Sequence, residues 1–172
     1  EHPDIQPYDE KGLLRGFGSR RHYTFSSETW WRESRRIVEH VAQRYGHHKA
    51  IAGWQTDNEY GCHDSILSYG AEDLRAFRQW LRRNYQTVDQ LNEAWGNVFW
   101  SMELRDFDEA SMPHLTMTET NPAARLDFRR FHSSQVAAYD KMQCDILRAH
   151  SPGRFITRAM AGSLPPRVQP VG

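Results

Sequence analysis

Apolar residues recur along this chain at two different spacings, and the change from one to the other marks its elements. After Ser26 and Ser27, either of which can cap a helix, Trp30, Trp31, Ile37, Val38, Val41 and Ala42 follow at roughly helical spacing, with Arg44 near the end and Gly46 just beyond. Ala50, Ile51, Ala52 and Trp54 then supply a buried approach that runs straight into Gln55-Thr56-Asp57-Asn58-Glu59, the pattern of a parallel strand emerging at its carboxyl end. Leu74, Phe77, Trp80 and Leu81 predict a second amphipathic helix closing near Asn84. A short third helix follows, opened by a capping box of Thr87 and Gln90, buried along Val88, Leu91, Ala94 and Trp95, and ended by Gly96. Asn121-Pro122 opens a long helix to about His150, with proline in the first turn, where its missing N–H costs nothing. Phe128, Phe131, Gln135, Ala138, Met142 and Ile146 trace most of one face of it. Ser151-Pro152-Gly153 breaks that helix, and Arg154-Phe155-Ile156-Thr157 resumes an extended pattern.

Residues 1–26 and 97–121 show no helical period and read as long loops, of the kind that usually border a site. Two strands separated by about a hundred residues of mostly helical chain cannot pair as a hairpin, so the economical arrangement is a parallel sheet with crossover helices, an α/β fold. Residues 163–172 follow neither period and read as a divergent tail. The chain starts at Glu1 without an initiator methionine and stops in a Pro-rich segment, so a fragment is expected.

Composition narrows the chemistry. Formal charge is zero, and the arginine pairs (Arg20-Arg21, Arg35-Arg36, Arg82-Arg83, Arg129-Arg130) are balanced by nearby acids, so nucleic acid is not an expected partner. No stretch approaches the roughly 18 apolar residues of a membrane span. Cys62 and Cys144 lack any motif spacing, which argues against a disulfide framework or zinc clasp and fits a reducing, cytoplasmic compartment. Aromatic residues make up 12%, with six Trp, and Trp30-Trp31, Trp95 and Trp100 lie in polar surroundings. Such rings suit the C–H faces of sugars, with core packing as the alternative use. His47-His48, near a helix end, reads as a partner for the last carbonyls rather than a metal site.

Glu59 is the leading catalytic candidate, because a barrel enzyme places its chemistry on the rim formed by the carboxyl ends of its strands. Alternation points Asp57 to the opposite face from Asn58, so a structural hydrogen bond is expected of it.

The run Arg15-Gly16-Phe17-Gly18-Ser19-Arg20-Arg21-His22-Tyr23, followed by Gly53-Trp54-Gln55-Thr56-Asp57-Asn58-Glu59-Tyr60-Gly61-Cys62-His63-Asp64, closely resembles the glycoside hydrolase family 42 β-galactosidases. Phe77-Arg78-Gln79-Trp80-Leu81, Leu91-Asn92-Glu93-Ala94-Trp95-Gly96, Asn121-Pro122 with Leu126-Asp127-Phe128-Arg129-Arg130-Phe131, and Ala149-His150-Ser151-Pro152 resemble that family in the same order. The resemblance spans roughly residues 1–162 and implies part of a (β/α)8 TIM barrel, from the loop between the third strand and third helix through the fifth strand. It implies hydrolysis of terminal β-D-galactosides with retention, with Glu59 as general acid/base, Asn58 binding the sugar 2-hydroxyl, Arg20 the galactose hydroxyls, and Trp100 part of the pocket wall. It implies no cofactor, and a homo-oligomer, a trimer, for the full-length enzyme. Some members hold zinc through four cysteines; the matching positions here are Thr24, Ser68, Gly70 and Asp73, so that metal is not expected.

Retaining glycosidases need two carboxyl groups about 5 to 5.5 Å apart. The family's nucleophile is a glutamate on a later strand, beyond Gly172, and no Asp or Glu follows Thr157. An acid working near neutral pH also needs its proton held by burial and by that partner's charge. The isolated chain is therefore expected to be inactive. Two other readings stand beside this one: a noncatalytic galactoside-binding product, and a related clan member acting on another β-glycoside.

Overall fold

The computed structural model describes residues 2–18, 22–62 and 65–160. Helix α1 spans Glu28–Tyr45, and Ser27 is its cap, the hydroxyl accepting from the Trp30 N–H at 3.0 Å. Its inner face carries buried Ala42 with Trp30, Trp31 and Val38 packed behind it. Ile37 departs from expectation: it lies well round the helix from Ala42 and is 54% exposed.

Strand β1 spans Gly53–Tyr60, starting later than the apolar run suggests and continuing past Glu59. Ala50 and Ala52 are exposed rather than a buried approach, because the chain leaving α1 spends these residues in turns. The His48 N–H donates to the Tyr45 carbonyl, and the His48 ring Nδ1 accepts from the Ala50 N–H at 3.2 Å. His48 therefore meets the last helical carbonyl with its backbone N–H, while its ring braces the turn that follows.

Strand β2, Phe155–Met160, pairs with β1 in parallel, in the register Gly53↔Phe155, Trp54↔Ile156 and Gln55↔Thr157. The parallel pairing is as the sequence order requires. Gly53 is needed here, since a Cβ at that position would fall 2.5 Å from the Phe155 ring. The base of the pair is stitched to the helices through Ser151, which accepts from the Trp54 indole N–H and donates to the Gly46 carbonyl, both at 2.8 Å.

Between the strands lie α2 (Ala71–Asn84), α3 (Val88–Trp95) and the 29-residue α4 (Pro122–His150). The Thr87 hydroxyl caps α3 by accepting from the Gln90 N–H, but the Gln90 side chain turns to the Gln86 N–H, so the capping box is only half formed. Gly96 ends α3 at φ +64°, a conformation that glycine adopts without a Cβ penalty. Asn121 caps α4, its side-chain oxygen accepting from the Ala123 and Ala124 N–H groups while its amide donates to the Trp95 carbonyl.

Helix α4 serves two cores. Its C-terminal half contributes Tyr139, Met142, Ile146 and Leu147 to a cluster with Phe25, Ala42 and Tyr60. Its N-terminal half contributes Phe128 and Phe131 to a second cluster with Phe77, Leu81, Leu91, Ala110 and Met112. A single stripe does not describe such a helix. Gln135 is only half-buried and Ala138 is exposed, while Tyr139, Gln143 and Cys144, off the expected face, are buried. Ala94 of α3 is likewise exposed. The proposed tail, residues 163–172, lies outside the described residues.

Candidate active site

The polar end of β1 is not a regular strand. Between Gln55 and Asn58 the strand advances three residues while β2 advances two, and between Asn58 and Tyr60 it advances two against one. Two irregularities in succession act as bulges, which re-aim side chains next to a site. Glu59 itself has φ +54°, a left-handed conformation uncommon for a residue other than glycine. Such backbone persists only when its surroundings over-determine it, and it clusters at functional sites.

The surroundings are well defined. The Asp57 carboxylate accepts from the Asn58 N–H at 2.6 Å, the structural hydrogen bond expected of it, although the bulge rather than simple alternation sets the geometry. Asn58 is exposed and Glu59 half-buried. Tyr60 is buried against Phe25, with ring centroids 6.2 Å apart, and its hydroxyl accepts from the Gln143 amide at 3.0 Å. Burial, with the Asp57 and Asp140 charges, pushes the Tyr60 phenol well above its ordinary range, so it stays neutral.

Beneath the strand, buried Asp140 of α4 accepts from the Thr56 hydroxyl at 2.7 Å and pairs with Arg158 of β2 at 2.9 Å. That triad ties β1, α4 and β2 together directly behind the Asn58-Glu59 bulge.

Of the other sequence candidates, Arg20 lies outside the described residues. Trp100 ends a short 3-10 turn, Asn97–Trp100, in the segment following α3. It is 76% exposed, with its ring edge-on to Phe99 at 4.8 Å. The described structure therefore brings Asn58 and Glu59 together and leaves Trp100 presented to solvent.

Thr24, Ser68, Gly70 and Asp73 do converge. Asp73, in the first turn of α2, is fully buried. Its Oδ1 accepts from the Thr24 hydroxyl at 2.5 Å and the Ser26 hydroxyl at 2.6 Å, and its Oδ2 from the Ser68 hydroxyl at 2.6 Å and the Gly70 N–H at 3.0 Å. This donor set does not fit a structural zinc, which takes thiolate and imidazole ligands in a closed tetrahedron. Here one carboxylate has its acceptor sites filled by hydroxyls and a backbone amide. Among the described residues no group of three or more His, Cys, Asp or Glu is placed to hold a metal ion.

Sequence reasoning did not single out Asp140, Gln143 or the role of Asp73. A usable signal existed for Asp73, a helix-start acid three residues after Gly70 and five after Ser68, both of which can donate to it.

Residues 1–169 match the family model for glycoside hydrolase family 42, described as beta-galactosidase. The beta-galactosidase of Thermus thermophilus is 52% identical over 161 residues, covering 94% of this chain and 25% of that protein. Beta-galactosidase Bga of Halorubrum lacusprofundi is 43% identical over 165 residues, covering 96% and 24%. The crystal structure of a beta-galactosidase from the psychrophilic Marinomonas ef1 superposes with a TM-score of 0.89 at 60% identity, covering 91% of this chain and 24% of that one. The chain thus spans about a quarter of the length of these relatives. Its strands and crossover helices are an α/β segment of a TIM barrel. No helix among the described residues is long and apolar enough to cross a membrane. The chain belongs to the glycoside hydrolase family 42 beta-galactosidases.

Proposed function

We propose that this chain carries the acid/base half of a retaining β-galactosidase site, acting on terminal non-reducing β-D-galactosides. The observation that carries this reading is the backbone of Glu59: a left-handed φ at a doubly bulged strand end, which presents a carboxyl group from a rigid element. In the first step the Glu59 acid donates its proton to the glycosidic oxygen while a second carboxylate attacks the anomeric carbon, giving a glycosyl-enzyme. In the second, the Glu59 carboxylate takes a proton from the water that displaces the sugar, which restores both groups. Asn58, exposed beside it, binds the 2-hydroxyl; Arg20 binds the other galactose hydroxyls, and Trp100 walls the pocket. The nucleophile is a glutamate on a later strand, outside this chain.

The whole enzyme is proposed to act as a homo-oligomer, a trimer, in the cytoplasm. Unpaired Cys62 and Cys144 are compatible with that compartment. No cofactor enters the proposed chemistry.

Glu59→Gln in the full-length enzyme tests the assignment. A general acid contributes on the order of 10² to 10⁴ in rate, so kcat/KM for an alkyl β-galactoside is expected to fall by that much. A dinitrophenyl galactoside, whose leaving group needs no proton, is expected to lose far less in the glycosylation step. Equal losses for the two substrates, or none, would count against Glu59 as the acid.

A further inference from the structure

The Asp73 knot joins parts of the chain that lie before and after Glu59 in sequence. Thr24 and Ser26 flank Phe25, whose ring packs on Tyr60, the residue after Glu59, and on Tyr139 at 5.2 Å. Ser68 and Gly70 lie between β1 and α2 and bond the same carboxylate. One carboxylate therefore holds both the segment that buttresses the strand end and the segment that follows it. The knot is further secured by the Tyr8 N–H, which donates to the Ser68 hydroxyl at 3.1 Å, and by the Gln135 amide of α4, which donates to the Ser26 hydroxyl at 3.2 Å.

The strained backbone of Glu59 needs such restraint from its surroundings. A buried carboxylate is costly unless its charge is matched by donors, and here four donors from two segments supply the match. Replacing one carboxylate oxygen by an NH2 group sets a donor against two of those donors, which loosens the segment they belong to.

We propose that Asp73 is a positioning residue for the reaction centre: a metal-free clamp that ties the 24–26 segment to Ser68 and Gly70, fixes Phe25 against Tyr60, and so holds Glu59 in its working geometry. This rests on reading Glu59 as the acid/base. The two segments are held by hydrogen bonds to one carboxylate, so chelation has nothing to remove.

The test uses the full-length enzyme with Asp73→Asn, and with Thr24→Val and Ser26→Ala as milder variants that each remove one donor while the carboxylate keeps the rest. Asp127→Asn is the control. Asp127 is also buried and also accepts several bonds, from the Tyr85 hydroxyl, the Trp95 indole and Arg130, but it lies in the second core.

A misplaced acid loses rate more than binding. The expected result is a roughly ten- to hundredfold fall in kcat for Asp73→Asn, with a much smaller change in KM, and a graded fall for the two milder variants. Asp127→Asn is expected to lower Tm and leave kcat of the folded enzyme within about twofold. EDTA is expected to change neither Tm nor kcat of the wild type. If Asp73→Asn does not fold, the kcat of Thr24→Val and Ser26→Ala decides. Loss of Tm with kcat intact in the Asp73 set would overturn the proposal, as would a Tm that falls in EDTA and returns with zinc. Should Glu59→Gln lose activity as expected while the Asp73 variants keep theirs, only the clamp fails; should Glu59→Gln stay active, the acid/base reading itself fails.

Discussion

At the scale of single residues, two side chains depart from what their burial would ordinarily permit. Glu59 is a non-glycine residue at φ +54°, and its strain is absorbed by the bulges on either side. His132 of α4 is fully buried between Phe128 and Phe131, with no well-formed hydrogen bond at either ring nitrogen. Burial pushes its pKa down to about 4, and the nearby Asp73 charge and Ser68 backbone only partly oppose this. The sign follows from linkage. Between about pH 6.5 and pH 4 the unfolded chain binds a proton here that the folded one refuses, so stability is complete above that window and lost as pH falls through it. A shift of this size corresponds to roughly 3 kcal/mol. His132→Phe, which keeps the ring and removes the titration, is expected to flatten the fall in stability from pH 6.5 to pH 4 in chemical denaturation. Identical slopes for variant and wild type would refute the assignment.

At the scale of elements, the helix caps and the order of strands and helices were legible in the sequence because each rests on a local signal. Ser27, Thr87, Gly96 and Asn121-Pro122 end or begin helices where their backbone chemistry says they should. Asn121 does more than cap. Its amide reaches the Trp95 carbonyl and its oxygen the first N–H groups of α4, so it joins α3 to α4. Asn121→Ala is expected to cost about 1 to 2 kcal/mol, the upper part of the range for an N-cap, readable as a lowered denaturation midpoint. A change below about 0.5 kcal/mol would show that the junction contributes no more than an ordinary surface residue. What the sequence concealed were features set by distant partners. The stripe on α4 misplaces Ala138 because one helix packs on two cores, and no periodicity within α4 announces that division. The start of β1 was similarly hidden, since Ala50 and Ala52 are apolar yet fall in a turn braced by His48. Asp73 and Asp140 look like surface acids until the loops that donate to the first and the strands that donate to the second are folded against them.

At the scale of the molecule, the chain spans about a quarter of its relatives and its described residues form a sheet of only two strands, both with an open edge. Both inner layers are nonetheless native in kind: the aromatic cluster of Phe25, Tyr60 and Tyr139 is set against α1, and the Phe77, Phe128 and Phe131 cluster lies in the crossover. The second cluster draws on α2, α3, α4 and the loop residues Ala110 and Met112, and is expected to persist in the isolated chain, whereas the open edges expose unpaired backbone and favour association. The 172-residue chain by itself is therefore expected to unfold with low cooperativity, to associate in a concentration-dependent way, and to show no turnover of an aryl β-galactoside. Hydrolysis by this chain that Glu59→Gln abolishes would contradict the need for a second carboxylate from elsewhere. The proposed site is written in adjacent residues, Asn58 and Glu59, at the bulged end of β1, and its proposed second carboxylate lies on a strand outside this chain.

The most direct measurement is a crystal structure of the full-length enzyme holding an unhydrolysed β-galactoside. The expected geometry has a Glu59 carboxyl oxygen within about 2.6 to 3.2 Å of the glycosidic oxygen. A glutamate from a later strand should stand about 5 to 5.5 Å from Glu59, on the far side of the anomeric carbon. A different carboxyl group at the glycosidic oxygen, or a separation of roughly 6.5 to 9.5 Å with a water between the sugar and the second carboxylate, would contradict a retaining mechanism with Glu59 as its acid/base.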